Sequence, residues 1–153
     1  MKRKKPKSFR NSASFGKRIE FWVIGQMLKG GLDIYVPLVD DIGIDSVVRK
    51  ADGTFTEVQI KARSSEVKLG NAAFFAALTH EKRDNYWFVF YSERMQTMWI
   101  MTSEEFIKEA RQNKSGVNVG KRTIKFNGCK MGKEYPLLRY EKYIATDFLR
   151  IIK

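Results

Sequence analysis

Two short stretches carry residue types whose spacing could do chemistry: Asp40-Asp41-Ile42-Gly43-Ile44-Asp45 and Glu57-Val58-Gln59-Ile60-Lys61. Read as a strand, the second sets Glu57, Gln59 and Lys61 on one face by period-two alternation and turns Val58 and Ile60 into a core. A carboxylate, an amide oxygen and an ammonium then stand in a row. Asp45 opens Ser46-Val47-Val48, a neighbouring strand, and Ala51-Asp52-Gly53-Thr54 links the two with the Asp-Gly signal of a hairpin. Pairing across that hairpin brings Asp45 beside Gln59 and Lys61. Oxygen ligands suit a hard divalent cation such as Mg²⁺, and an adjacent lysine suits a phosphate or a polarised water. That is the chemistry of a metal-dependent phosphodiesterase.

Other elements must hold these residues in place. Ser12 or Ser14 can cap a helix running to about Lys29, where Gly30-Gly31 ends it. Its expected buried stripe is Ile19, Trp22, Val23 and Met27 with Gln26 among them, and Glu20 lies beside that stripe. Pro37 demotes Ile34–Val39 to an edge strand or strand end. Ala62-Arg63-Ser64-Ser65 reads as a polar loop in which Arg63 could meet phosphate. Asn71 can cap a helix through Leu78, with His80 following as a weak general-base candidate. Tyr86–Tyr91, apolar on both faces, reads as a central covered strand with a hairpin partner at Gln96–Met101. Thr102-Ser103-Glu104-Glu105 resembles a capping box opening a helix through Ala110. Beyond Gly116, Thr123–Phe126 alternates, Asn127-Gly128 reads as a turn, and Tyr143–Ile152 as a closing helix. The order predicts an α/β (α+β) fold, a mixed sheet flanked by helices.

The charge is unevenly placed. The 153 residues carry a formal net charge of +12. Residues 1–10 hold six Lys/Arg and no acid, residues 111–153 hold eleven against three acids, and the middle is slightly acidic. Three stretches follow: a basic flexible arm at 1–11, a core at 12–112, and a basic extension at 113–153 within the same domain. Basic ends beside an acidic centre suit a nucleic-acid enzyme, with Lys2, Arg3, Lys4, Lys5, Arg63, Lys121, Arg122 and Lys125 as the candidate DNA contacts. At this length one domain with a sizeable core is expected. No apolar run reaches the roughly 20 residues of a membrane span, and no secretory signal is expected. Cys129 is the only cysteine, excluding an internal disulfide and a cysteine-cluster zinc site. It is expected to be a buried or half-buried thiol in a reducing cytoplasm, with nuclear import left open.

An Asp, a hairpin turn, then a strand ending in acid-x-Lys resembles the PD-(D/E)XK nuclease superfamily, which includes restriction endonucleases, Holliday-junction resolvases and a group of intron homing endonucleases. The resemblance covers roughly residues 14–107 and implies a restriction-endonuclease-like core with the basic C-terminal stretch as an extension. It implies Asp45 as a metal ligand and Lys61 as the lysine that orients or activates the attacking water. Glu20 matches the helix acid of resolvase-like members. Two positions depart from the pattern: Ile44-Asp45 replaces Pro-Asp, and Gln59 stands where the family has Asp or Glu, as in some homing and restriction members. An amide oxygen can coordinate Mg²⁺ but brings no formal charge, which Glu57 or Glu20 could restore.

The resemblance thus implies Mg²⁺-dependent hydrolysis of DNA phosphodiesters, Mn²⁺ being a possible substitute. Asp45, Gln59, the Ile60 carbonyl and Glu20 would hold the metal. Cutting both strands needs two sites, so a homodimer or homotetramer is expected. The runner-up is a catalytically inactive DNA-binding module on the same fold. A third reading, RNA binding through Tyr86–Tyr91, requires those aromatics to face solvent.

Overall fold

Ser12–Lys29 forms helix α1, and its exit shows how closely the sequence dictates the chain path. Gly31 adopts φ +86°, donates to the Leu28 carbonyl at 2.9 Å, and Leu32 donates to Met27 at 3.1 Å. These paired bonds, with Leu32 and Met27 in one apolar cluster, are the Schellman arrangement that glycine favours. The computed structural model to which these elements belong describes residues 12–39 and 42–153.

The chain then enters a five-stranded sheet. It is built from β1 (Asp33–Tyr35), β2 (Ser46–Arg49), β3 (Phe55–Arg63), β5 (Tyr86–Ser92) and β6 (Thr97–Thr102), side by side in that order. All neighbours are antiparallel except β3 and β5. A parallel pair requires a long crossover. Here it spans residues 64–85 and contains β4 (Phe74–Leu78). β4 leaves the main sheet to join β7 (Arg111–Gln112) and β8 (Arg122–Lys125) in a second sheet ordered β4-β8-β7. A hairpin of β9 (Asn127–Lys130) and β10 (Lys133–Pro136) follows, then a 3₁₀ segment at Leu138–Tyr143 and the short helix α3 (Leu149–Ile152).

Two cores lie on opposite faces of the main sheet. On one, Val23, Ile24 and Met27 of α1 pack with Val48, Val58, Ile60, Val89 and Ile100. On the other, Phe88, Phe90, Trp99 and Met101 meet Phe106, Phe75, Ile124, Phe126, Tyr140 and Tyr143. Helix α2 (Ser103–Glu109) opens on the expected capping box: the Glu105 N–H donates to Thr102 Oγ1, and Glu105 Oε2 accepts from the Thr102 N–H. No helix among the described residues is long and apolar enough to cross a membrane.

The expected secondary structure needs four corrections. Residues 74–78 form a strand, not a helix: Phe75 is buried opposite Ile124, while Phe74 faces outward opposite Lys125. Alanine-rich local propensity yields there to cross-strand pairing. The closing helix from Tyr143 is interrupted, because Ile144 bridges to Trp99 and Ala145 donates to the Met98 carbonyl at 2.9 Å. Asn127-Gly128 begins a strand, and the turn falls at Met131-Gly132, both at positive φ. Arg63 is the last residue of β3, paired with Ser92, and not part of a loop. Two burial expectations also change. Trp22 is 46% exposed, its place in the buried stripe taken by Ile24, and Cys129 is exposed.

Candidate active site

The β2–β3 hairpin sets the register on which the site depends. Asp52 Oδ1 accepts from Thr54 N–H at 2.9 Å and from Thr54 Oγ1 at 2.6 Å, while Gly53 takes φ +85° and donates to Lys50. This tight turn aligns Ser46 with Val58. One residue earlier, the Asp45 N–H donates to the Val58 carbonyl at 2.9 Å. There the backbone ladder stops and a side chain continues it. The Ile60 N–H donates to Asp45 Oδ2 at 2.6 Å. The N–H and C=O of a strand residue leave on the same side, so the Ile60 carbonyl points to the same edge of β3 as the Asp45 carboxylate.

The expected alternation is present. Thr56, Val58 and Ile60 are buried, while Glu57, Gln59 and Lys61 are half-buried on the other face. The parallel register sets Tyr86 beside Glu57, Phe88 beside Gln59 and Phe90 beside Lys61. The polar row therefore runs along the margin of the aromatic core. Gln59 and Lys61 line a cleft of about 530 Å³ with Gly43, His80, Lys82 and Arg83. Lys61 has no ion-pair partner among the described residues, so its ammonium is available to the cleft.

Three residues, none of them among the site residues expected from the sequence, fix this row. The Tyr86 hydroxyl lies 2.5 Å from the Gly43 carbonyl and 3.0 Å from Gln59 Oε1. Gly43, at φ +69°, packs so tightly that an added Cβ would lie 2.8 Å from Gln59 Nε2. Arg83 pairs with Glu57 at 2.6 Å, donates to the Ile42 carbonyl at 3.1 Å and covers the Tyr86 ring at 4.8 Å. Tyr86 and Arg83 thus tie the loop before Asp45 to the face of β3. Nothing local in the sequence signals this, because it rests on β3 pairing with β5 across a 22-residue connection.

The remaining candidates fall in different places. Glu57 shares the Gln59 face, but its carboxylate is already neutralised by Arg83. Glu20 sits on α1, whose buried face packs against the Val58 and Ile60 side of the sheet, and pairs with Lys17 at 2.9 Å. Among the described residues no group of three Asp, Glu, His or Cys side chains forms that could hold a metal. Asp40, Asp41 and the arm with Lys2, Arg3, Lys4 and Lys5 lie outside the described residues. His80 borders the cleft, but its Nε2 is hydrogen-bonded to Ser103 Oγ at 2.7 Å. Burial, with the charges of Arg83 and Arg122, pulls its pKa down to about 4, so it is neutral at physiological pH. Arg63 continues the Lys61 row, whereas Arg122 turns under β8 and donates to the Ile107 carbonyl at 3.4 Å. Lys121 precedes β8, and Lys125, its last residue, is exposed. The aromatic run is buried: Tyr86 is 2% exposed, and Phe88, Val89 and Phe90 are wholly enclosed. The RNA-stacking reading therefore fails.

No protein-family model matches this sequence, and no curated protein matches it. A solved structure matches its fold. The bacterial homing endonuclease I-Ssp6803I aligns over 88% of this chain and 87% of its own, at 18% identity and a TM-score of 0.53. The likeness is one of fold: a mixed sheet flanked by helices, laid out as in that nuclease.

Proposed function

We propose that this chain is a DNA endonuclease of the PD-(D/E)XK type. The observation that carries the reading is the Asp45–Ile60 bond. It sets a carboxylate at the edge of β3 level with Ile60, between Gln59 and Lys61, whose side chains line the neighbouring cleft. The oxygen donors fit a hard cation in kind: the Asp45 carboxylate, the Ile60 carbonyl and the amide of Gln59. Such an ion, Mg²⁺ in this reading or Mn²⁺ as a substitute, would supply stabilisation of charge developing on a phosphodiester. Asp45 and the Ile60 carbonyl would hold it, with Gln59 beside them. Lys61 would place its ammonium against the attacked phosphate or the incoming water. Glu57 is spent on Arg83, so it supplies little compensating charge. Homodimeric or homotetrameric assembly follows from the need to cut two strands.

The fold likeness to a homing endonuclease supports this reading, as does the strongly basic balance of the chain. A second reading, a DNA-binding module without catalysis, is favoured by Gln59 and by the lack of a three-acid cluster among the described residues. Supercoiled plasmid and a branched junction, incubated with wild type or Lys61→Ala in Mg²⁺ or EDTA, separate the two. Mg²⁺-dependent cuts that vanish in Lys61→Ala are the expected result, and the preferred substrate would distinguish site-specific cutting from junction resolution. Tight binding with no cuts across a library of DNA sequences and structures would favour the inactive module.

A further inference from the structure

The cations of residues 111–153 differ in their partners. Arg139 and Lys142 are held on Glu109, and Arg150 on Glu105. Arg111, Lys114 and Lys125, like Lys130, Lys133 and Lys153 elsewhere in the stretch, are exposed and have no carboxylate partner among the described residues. The fold gathers the first three. Along β8, Ile124 is buried against the core, so Thr123 and Lys125 face outward. Arg111 pairs with Thr123 and Phe74 with Lys125, and residues directly opposite share a face. A groove of about 700 Å³ runs over this face, walled by Phe74, Arg111, Asn113, Lys114, Ser115 and Thr123. No Asp or Glu lines it.

The groove and the candidate active site share β4. Phe74 lies in the groove, and Ala77 and Leu78 border the cleft holding Gln59 and Lys61. Three residues of strand span about 10 Å. For a duplex whose axis lies along β4, that is roughly three base-pair steps at about 3.4 Å of axial rise each. We infer that the outer face of the β4-β8-β7 sheet binds the backbone of duplex DNA about three nucleotides from the phosphate taken into the cleft. Arg111, Lys114 and Lys125 are the phosphate contacts. The carrying argument is charge complementarity joined to this short path, and the inference rests on the DNA reading above.

The test uses the full chain and a 30-base-pair duplex in EDTA, with affinity followed by fluorescence anisotropy across a salt series. Each phosphate contact contributes about 0.9 to the slope of log affinity against log salt. The variant Arg111→Gln/Lys114→Gln/Lys125→Gln is expected to flatten the slope by about 2.7, with each single change removing about 0.9. A control changing three exposed lysines outside the groove, Lys29→Gln/Lys68→Gln/Lys108→Gln, is expected to keep the wild-type slope. An unchanged slope in the groove variant, or equal loss in both triples, overturns the inference while leaving the DNA reading intact. Preference for single strands over duplex overturns it as well. Failure of wild type to bind any DNA overturns the DNA reading and this inference together.

Discussion

A phenol has one proton, and the Tyr86 hydroxyl has two oxygen neighbours, the Gly43 carbonyl at 2.5 Å and Gln59 Oε1 at 3.0 Å. Both oxygens cannot accept that proton at once, and the shorter contact has the stronger claim. The network balances if the Gln59 amide turns over, an exchange of O and N that hardly changes its shape, and donates through Nε2 to the phenol oxygen. A glutamate at 59 has no proton to give. Gln59→Glu would either face the phenol oxygen without a hydrogen or draw its proton away from Gly43. Losing one hydrogen bond costs about 0.5–1.5 kcal/mol net, and an unsatisfied buried oxygen adds about 1–3. The cleft admits water, which favours the lower end, so about 1–2 kcal/mol is expected. For a domain of this size each kcal/mol lowers Tm by about 2–4 °C, hence a drop of roughly 2–8 °C. Tyr86→Phe should cost a similar amount, and the double variant no more than Tyr86→Phe alone, with a coupling near 1 kcal/mol. Thermal unfolding followed by circular dichroism measures all four proteins, and a Mg²⁺ titration of cleavage is run beside it. Gln59→Glu, with its added charge near Asp45, should reach half-maximal cleavage at lower Mg²⁺. Additive costs, or two single variants melting with wild type, would refute the network.

Asp45→Ala should lose DNA cleavage and about 1–2 kcal/mol of stability, because the Ile60 N–H loses its acceptor, whereas Asp45→Asn should lose cleavage and keep its Tm; plasmid nicking and thermal melts check both. Denaturant unfolding across pH should show two windows. His80 stays neutral in the fold down to about pH 4 while an unfolded histidine takes its proton near 6.5, so the unfolded state binds more protons between those values and stability falls as pH drops through them. Burial alone would raise the carboxyls of Glu105, Glu109 and Glu134, but Arg150, Arg139 and Arg94 hold them below the usual 4.5, so their contribution is present above that value and lost beneath it. His80→Gln should flatten only the upper window. Ending the chain at Gln112 should abolish cooperative unfolding in a calorimetric scan, because Ile124, Phe126, Tyr140, Tyr143 and Ile151 leave the two cores.

What could be read from the sequence was what depends on neighbours in the chain. The Asp-Gly turn fixes the β2–β3 register, and the register fixes Asp45 against β3. Alternation alone then assigns Glu57, Gln59 and Lys61 to one face. The α1 exit and the Thr102 capping box are equally local, resting on bonds three to five residues apart. Residues 74–78 could not be read this way, since their strand exists only through β8, almost fifty positions on. The same reason hid Tyr86 and Arg83. Each reaches the site through the parallel pairing of β3 with β5, and no pattern in either strand announces its partner.

The long-range pairings also build the candidate site and the basic stretch into one another. β4 is carried in the crossover that the β3–β5 parallel pair requires, and its own partner is β8 from the C-terminal stretch. One face of that small sheet closes the aromatic core through Phe75 and Ile124. Its other face presents Arg111 and Lys125, and its end borders Gln59 and Lys61. Glu134 reinforces the arrangement from β10. Its side chain is 5% exposed, pairs with Arg94 at 2.7 Å and accepts from the Gly70 and Ala72 N–H groups at 2.6 and 3.1 Å. The loop entering β4 is therefore anchored by the C-terminal hairpin. A displacement of that hairpin would be transmitted through the Gly70 and Ala72 N–H bonds to the buried Glu134 carboxylate into the strand that edges the cleft, where a loosely tethered basic tail would leave it unmoved.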